Sequence, residues 1–408
     1  MHRIVMLVLG PCRLDLRVER EAGALSQGGF RVSIIAWNRV GQLPQAETLA
    51  GCELFRLGPS LPKMFPRFLM SARFFIKILA SLFFYMAAIN RAIRLKPEVI
   101  HAHDLDTLVP ALVLKLLMNS RVVFDSHEDY PAMLLPLAGR TACWLALAGE
   151  KLLLKGADVV IASSEAISRN LPYTRKPFIV RNAVDLSRFD AVSGGDLTHR
   201  VSVRPIVIYA GAVGEGRGLD QLLEAAQLTR SDICVVIARK EQDIEGPKYA
   251  DLKAKCERRG IHAQFIEHGH FPSLIRQATI GVALFQPDGT NSLNILPNKL
   301  FEYMAGGIPV IVSDFPLLRK VVRGNDCGVT VDPTSVQQIA DAIDYLLSNS
   351  AEARRLGANG RKAVEEKYSW RIEKRELARA YASIDWSRCA CGFLSHVGNK
   401  GLCAILRR

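Results

Sequence analysis

The sequence predicts an α/β chain of two doubly wound parallel-sheet domains facing each other across a cleft. Three observations predict it. Short runs such as VVFD and VVIAS are apolar on both faces and alternate with helical segments, as strands of a helix-covered parallel sheet must. The alternation breaks once, at the polar stretch DAVSGGDLTHRVSV (190–203), and then restarts. A length of 408 residues also asks for more than one domain. The expected division is 1–190, a linker 191–203, 204–370, a helix 371–386 returning toward the first domain, and a tail 387–408.

In the first half, HRIVMLVLG reads as a strand and RVEREAGALSQGGF as a helix closed by Gly28 and Gly29. VSIIAW is a strand, followed by a polar interlude and a long apolar, basic helix around 66–95. EVIHAHD (strand), TLVPALVLKLLM (helix), RVVFDSHED (strand), a helix near 140–155, ADVVIASS (strand) and FIVRNAV (strand) follow. The second half runs RPIVIYAGAV (strand), GLDQLLEAAQL (helix), DICVVIAR and AQFIEHG (strands), SLIRQATI (helix) and GVALFQ (strand). PNKLFEYMAG (helix), IPVIVSD (strand), LLRKVV (helix), GVTVD (strand) and helices from Val336 to Trp386 complete it. Right-handed crossovers follow, and ligands of such sheets bind beyond the carboxyl ends of the strands.

Apolar residues make up 49% of the chain and charged ones 23%, which excludes a disordered, collagenous or coiled-coil protein. The nine cysteines are odd in number and form no C-x-x-C pair, so neither a zinc site nor a disulfide framework is indicated; a reducing cytosol fits them. The opening apolar run stops at Arg13, too short for a secretory leader, and reads as a buried strand. The longest apolar stretch, Phe74 to Ile89, contains Lys77 and falls short of the roughly 20 residues a membrane span needs. The expectation is a soluble or peripheral chain.

The chemistry should lie in the loops at the strand ends. In NILPNKLFEYMAGGIPVIVSD (294–314) a helix starts near Asn298, after Pro297, and ends at Gly306 and Gly307. Its amino end offers free N–H groups suited to phosphate. Lys299 in that first turn opposes the helix dipole unless an anion lies there. Glu302, on the same face, suits a ribose diol. The plainer alternative is a capped helix with a surface Lys–Glu pair. In YAGAVGEGRGLDQLLEAA, Gly211, Gly214, Gly216 and Gly218 allow close backbone approach and Arg217 offers a fork for phosphate oxygens. The spacing is neither G-x-G-x-x-G nor a Walker loop, and a βα turn with a solvated arginine is the alternative.

In the first half, IHAHDLDTL and VVFDSHEDY place His101, His103, Asp104, Asp125, His127 and Glu128 on one rim. Metal binding is one reading of such a set, and Asp104-Leu105-Asp106 spells a D-x-D. The sharper reading sets His127 beside a phosphate leaving group; against it stands a hydrogen-bonded rim histidine.

Taken in order, these segments resemble the family-4 retaining glycosyltransferases of GT-B fold. The pattern runs from DLRVEREAGALSQGGFRVSIIAW through IHAHD, DSHE, ADVVIASSEAI, IVRNAVDLSRF, the glycine loop and LPNKLFEYMAGGIPVI to SW…LARAY, over residues 1–386. PNKLFEYMAxGxPV is similar to the branch that builds bacterial surface polysaccharides. The resemblance implies a nucleotide-diphosphate sugar as co-substrate, with no metal or other cofactor required. It implies that Glu302 binds the nucleotide ribose, that Arg217 with Lys299 neutralises the diphosphate, and that His127 contacts the donor sugar or its phosphate. Gly211, Gly214, Gly216, Pro297 and Asn298 would line the donor, and His101, His103, Asp104 and Glu128 the acceptor. Asn294 stands where the family has the first glutamate of Glu-x7-Glu, and Ala212 and Val213 where it has a companion arginine. Those departures keep a catalytically weak sugar-nucleotide-binding partner subunit as an alternative, beside an NDP-sugar epimerase of the same fold.

Lys plus Arg number 53 against 40 Asp plus Glu, a formal charge of +13. No acid occurs between Glu53 and Glu98, where Arg56, Lys63, Arg67, Arg73, Lys77, Arg91, Arg94 and Lys96 are interleaved with Phe65, Phe68, Phe74, Phe75, Phe83, Phe84 and Tyr85. Such a basic amphipathic segment (56–96) fits an anionic membrane surface and a lipid-linked acceptor, placing the chain at the cytoplasmic face of a membrane. A core helix with a solvated basic edge is the alternative for part of it. No nucleic-acid readout motif is present.

Overall fold

The computed structural model describes residues 1–12, 15–39, 41, 43–60, 73–173, 175–192, 202–239, 247–267, 271–288, 293 and 296–386, with the backbone alone at 73–75, 132–138, 142, 247 and 267. Asn294, the tail 387–408, most of the linker, and Lys63, Phe65, Arg67 and Phe68 lie outside the described residues.

The chain divides into two compact units, Met1–Arg181 with the segment from Glu373 on, and Asn182–Ile372. The first unit thus ends before Asp190, where the sequence pattern placed the boundary. The reason is packing: Phe189 belongs to the core of the second unit, where its carbonyl accepts from Arg276, and Val184 bridges to Ser369. The last helix, Trp370–Ala382, crosses the division at its start.

The first unit holds β1 (Arg3–Val8), α1 (Leu16–Gln27), β2 (Arg31–Trp37), β3 (Ala46–Leu49), β4 (Cys52–Leu57), α2 (Arg73–Leu95), β5 (Val99–His103), α3 (Leu105–Met118), β6 (Arg121–Ser126), α4 (Tyr130–Leu154), β7 (Val159–Ala162), α5 (Glu165–Asn170) and β8 (Phe178–Ile179). The strand order is β3-β4-β2-β1-β5-β6-β7-β8, and β3 alone runs antiparallel to its neighbour. That edge hairpin turns at Ala50 and Gly51, both at positive φ, inside the stretch read as a polar interlude. The sequence direction reverses between β1 and β5, so the carboxyl ends of those strands are where a ligand crevice belongs. α1 starts on Asp15, whose carboxylate accepts from the N–H groups of Arg17 and Val18, and closes at Gly28.

Ala80, Phe84, Ala88 and Ala92 form the buried stripe of α2, with Phe84 stacked on Trp37 at 6.0 Å. This corrects two expectations. Phe84 is a core residue, not part of a basic surface. Residues Ile76–Leu95 are also long and apolar enough to cross a membrane by length and composition, which the sequence reading did not anticipate. Because its buried stripe packs into the core that covers the sheet, α2 is a covering helix of this unit. Arg56 likewise leaves the basic surface: it is buried, donates to the carbonyls of Pro11, Pro44 and Cys12, and pairs with Glu47.

The second unit holds a six-stranded parallel sheet in the order β11-β10-β9-β12-β13-β14. Its elements begin with a short helical turn, α6 (Ser187–Asp190), then β9 (Ile206–Ala210), α7 (Leu219–Leu228), β10 (Cys234–Arg239), α8 (Pro247–Arg259), β11 (Ala263–Glu267), α9 (Phe271–Gln277) and β12 (Ile280–Ala283). The helix Asn298–Gly306, β13 (Val310–Ser313), the helix Pro316–Gly324, β14 (Gly328–Val331) and the helices Val336–Ser348 and Ser350–Ala363 follow. Order reverses between β9 and β12, which sets the loops after both strands side by side.

Candidate functional site

In the second unit those two loops meet the helix Asn298–Gly306. Its cap position is Pro297, which offers no side-chain bond, and Asn298 is the first helical residue rather than the cap. The helix is fixed from below: the Tyr303 hydroxyl accepts from Ala210 N–H (2.8 Å) at the end of β9 and donates to the Val282 carbonyl (3.3 Å) on β12. Lys299 is buried, and its Nζ sits 3.4 Å from the centre of the Tyr209 ring and 5.6 Å from that of Phe285. The Arg217 guanidinium lies over the other aromatic, 5.1 Å from the Phe285 centroid. Gly211 faces Lys299 so closely that a Cβ there would come within 3.2 Å of its Cε and Nζ. Gly216 and Gly218 both take φ +70°, and a Cβ on Gly218 would meet the Leu284 carbonyl oxygen at 2.0 Å. Gly214 faces open space.

Burial first, then the nearby Arg217 charge, hold the Lys299 ammonium well below its ordinary range, and Glu302 only partly opposes them. An anion of two or more charges brought here would favour the charged lysine and pair with both cations. Lys299 is therefore not half of a surface Lys–Glu pair. Tyr209, Tyr303 and Phe285 were missed as site residues; aromatic or apolar positions at strand ends give no polar signal in a sequence.

In the first unit the register of β5 against β6 sets His103 beside Asp125. Asp125 is the hub. Its Oδ2 accepts from Arg17 Nε (2.8 Å) and lies 2.9 Å from His127 Nε2 and 3.3 Å from His103 Nδ1, while Oδ1 is 2.5 Å from Arg17. Arg17 also donates to the Val180 carbonyl (2.7 Å) and rests against Glu21 at 3.2 Å. His127 is held twice more by Asp104, through its backbone N–H (3.0 Å) and its Nδ1 (3.4 Å). His101 stacks on His103 at 4.3 Å, as two residues spaced by one on a strand must, and its Nδ1 meets the Tyr381 hydroxyl at 2.9 Å.

The charges follow from this wiring. Burial would raise the Asp125 carboxyl, but Arg17 and then His127 hold it well below the usual range. Burial would lower His127; Asp125, then Asp104, outweigh it and push the imidazole up to about 9. Glu21 is lifted to about 7 by burial and by Asp125, with Arg17 partly opposing. His127 is thus an imidazolium at neutral pH and keeps 19% side-chain exposure.

His101 and His103 are corrections. They are 0% and 2% exposed, packed under the site rather than on a rim open to an acceptor. Asp104 is half-buried and Glu128 exposed. Glu21, His101, His103 and Asp125 each bring a ligand atom within 4.8 Å of the others, a set able to hold a metal. The Arg17 guanidinium already lies on both carboxylates, so a divalent cation would have to displace a buried positive charge.

Residues 199–363 match the model of the glycosyl transferases group 1, and residues 15–176 that of the glycosyl transferase 4-like domain. The alpha-D-kanosaminyltransferase of Streptomyces kanamyceticus is 29% identical over 44% of this chain and 46% of its own length. The alpha-maltose-1-phosphate synthase of Mycobacterium tuberculosis is 24% identical over 70% of this chain and 79% of its own. The chain thus spans less than half the length of the first of these relatives. Among solved structures, the sucrose-phosphate synthase of Thermosynechococcus elongatus shares the fold at a TM-score of 0.74 and 21% identity, covering 94% of this chain and 98% of that one. The two matched domains and the paired parallel-sheet units make the chain a member of the family-4 glycosyltransferases of GT-B fold.

Proposed function

We propose that this chain is a retaining glycosyltransferase of hexosyltransferase type. It would move a sugar from a nucleotide diphosphate to a saccharide acceptor, lipid-linked, in the synthesis of a surface polysaccharide at the cytoplasmic face of a membrane. The observation that carries the reading is the convergence of Arg217, Lys299 and Glu302 on one aromatic-floored locus in the second unit. Arg217 and Lys299 would take the diphosphate, Glu302 the ribose hydroxyls, and the N–H groups of the first helical turn the phosphate oxygens. As the bond to the anomeric carbon breaks, negative charge gathers on the leaving phosphate. A buried ammonium and a guanidinium fixed beside it stabilise that growing charge more than the ground state. The His127 imidazolium would contact a sugar or phosphate oxygen as a donor. Retention is then by attack on the face the leaving group vacates, with the departing phosphate accepting the acceptor's proton. The scheme routes no step through a metal.

Release of UDP or GDP from a set of nucleotide sugars, with and without a polyprenyl-diphosphate saccharide, tests the reading. Turnover that needs the acceptor and falls at least about 100-fold in Arg217→Ala supports it. Nucleotide-sugar binding without turnover on any acceptor would favour the partner-subunit alternative instead, to which the Ala212–Val213 departure points.

A further inference from the structure

Of the nineteen large apolar residues that are exposed among the described residues, fourteen lie on three helices of the first unit, α2, α3 and α4. On α2 the exposed stripe includes Leu79 (57%), Phe83 (61%) and Met86 (69%), opposite the buried Ala80, Phe84, Ala88 and Ala92. On α3 it includes Val113, Leu116 and Leu117, with Leu116 86% exposed. On α4, Trp144 (66%), Leu145 and Leu152 continue it. α3 packs against both α2 and α4, and buried residues of all three enter the core on one side of the sheet. Helices lying side by side on a sheet with their buried stripes inward turn their other stripes the same way. The exposed residues therefore share one outer face, far more apolar than a solvated surface requires.

The charges on that face say what covers it. Lys77, Arg94, Arg140 and Lys151 are exposed on the three helices, and Lys96 and Lys155 stand just beyond two of them. Among the described residues the helices carry two carboxylates, Asp106, half-buried, and Glu150, buried, so no exposed acid interrupts the face. A second copy of this chain would set cations against cations. An acidic headgroup layer over an apolar interior complements both features at once.

We propose that the α2–α3–α4 face is a monotopic docking surface for an anionic lipid bilayer, with α3 and α4 entering the interface beside α2. The proposal rests on the membrane location given above and extends it from one basic segment to a three-helix face. Lipid would then meet Leu116 and Trp144 as directly as Phe83, and the exposed cations would sit at headgroup level. The enzyme would lie on the bilayer by this flank, as a helix-faced peripheral protein and not a spanning one.

Co-sedimentation of the full chain with phosphatidylcholine vesicles, with and without phosphatidylglycerol, is the test, alongside the triple variant Leu116→Ser, Leu117→Ser, Trp144→Ser. These side chains are exposed, and thermal unfolding of the variant should match the wild type. A second variant, Arg94→Glu with Lys151→Glu, keeps the apolar face and reverses two charges. The expected result is wild-type binding that needs phosphatidylglycerol, with partitioning about 100-fold weaker in the triple variant and at least about 10-fold weaker in the charge variant. Wild-type binding that both variants retain would overturn the three-helix face while leaving a membrane location standing. A wild type that ignores every vesicle would overturn both. A wild-type dimer that the triple variant splits, without vesicle binding, would make the face a self-interface and overturn the proposal.

Discussion

Replacing Asp125 with asparagine removes one carboxylate from beneath Arg17, His103 and His127. Arg17, 8% exposed, would keep Glu21 and the Val180 carbonyl but face a neutral amide, with one acceptor oxygen, in place of the carboxylate that takes two of its bonds. Breaking a buried pair from one side costs about 3–5 kcal/mol, and the partner left here retains one carboxylate, so about 3 kcal/mol is expected. A second signature is specific to this wiring. His127 goes from an ordinary 6.5 to about 9 in the folded chain, which at about 1.4 kcal/mol per pH unit amounts to roughly 3 kcal/mol. Its folded pKa is raised, so that stability is fully present below pH 6.5 and is lost as pH rises to 9. Glu21, raised from 4.5 to about 7, has the same sign but acts below pH 7, so between 7 and 9 the difference in slope between wild type and variant reports the histidine. Urea unfolding at several pH values across that interval should show wild-type stability falling with pH more steeply than that of Asp125→Asn. A variant that loses under about 1 kcal/mol, or that keeps the wild-type slope, would refute the assignment of Asp125 as hub.

Other substitutions test separate parts of the reasoning. Lys299→Met removes a cation whose charge burial and Arg217 disfavour, so the unliganded thermal midpoint should hold or rise while nucleotide-diphosphate affinity by calorimetry drops at least about tenfold; unchanged affinity would remove Lys299 from the diphosphate. Gly218→Ala drives a methyl into the Leu284 carbonyl at positive φ and should cost at least about 2 kcal/mol in chemical unfolding. Tyr381→Phe strands His101 Nδ1 in the core and should cost about 1–2 kcal/mol without changing nucleotide affinity in the second unit.

The alternation of parallel strands and helices was legible because such strands are buried on both faces, and runs like IVIYA and VVIA carry no other pattern. The helix Asn298–Gly306 and the glycine turn before α7 were legible from their punctuation. The β3–β4 hairpin was not, since AETL is a polar, exposed edge. α8 escaped because its inward contacts reduce to Tyr249, Leu252 and Cys256 in an otherwise charged segment. At the site, the pairing of His101 with His103 followed from strand geometry, but their depth did not: it depends on Tyr381, 280 positions away from His101. Arg17 and Asp125 are 108 apart, and only the sheet register and the placement of α1 bring them together.

The passage of the chain out of the first unit at Arg181 and back at Glu373 has a consequence for synthesis. The stretch 182–372 is contiguous and can fold as soon as it clears the ribosome. The amino-terminal unit emerges earlier but lacks its closing pieces, Glu373 for Arg181 and Tyr381 for His101, until the whole second unit has been made. The usual order, in which the first-made domain finishes first, is reversed here. A nonsense codon at position 373 would release a complete second unit tethered to an amino-half left open at its histidine cluster.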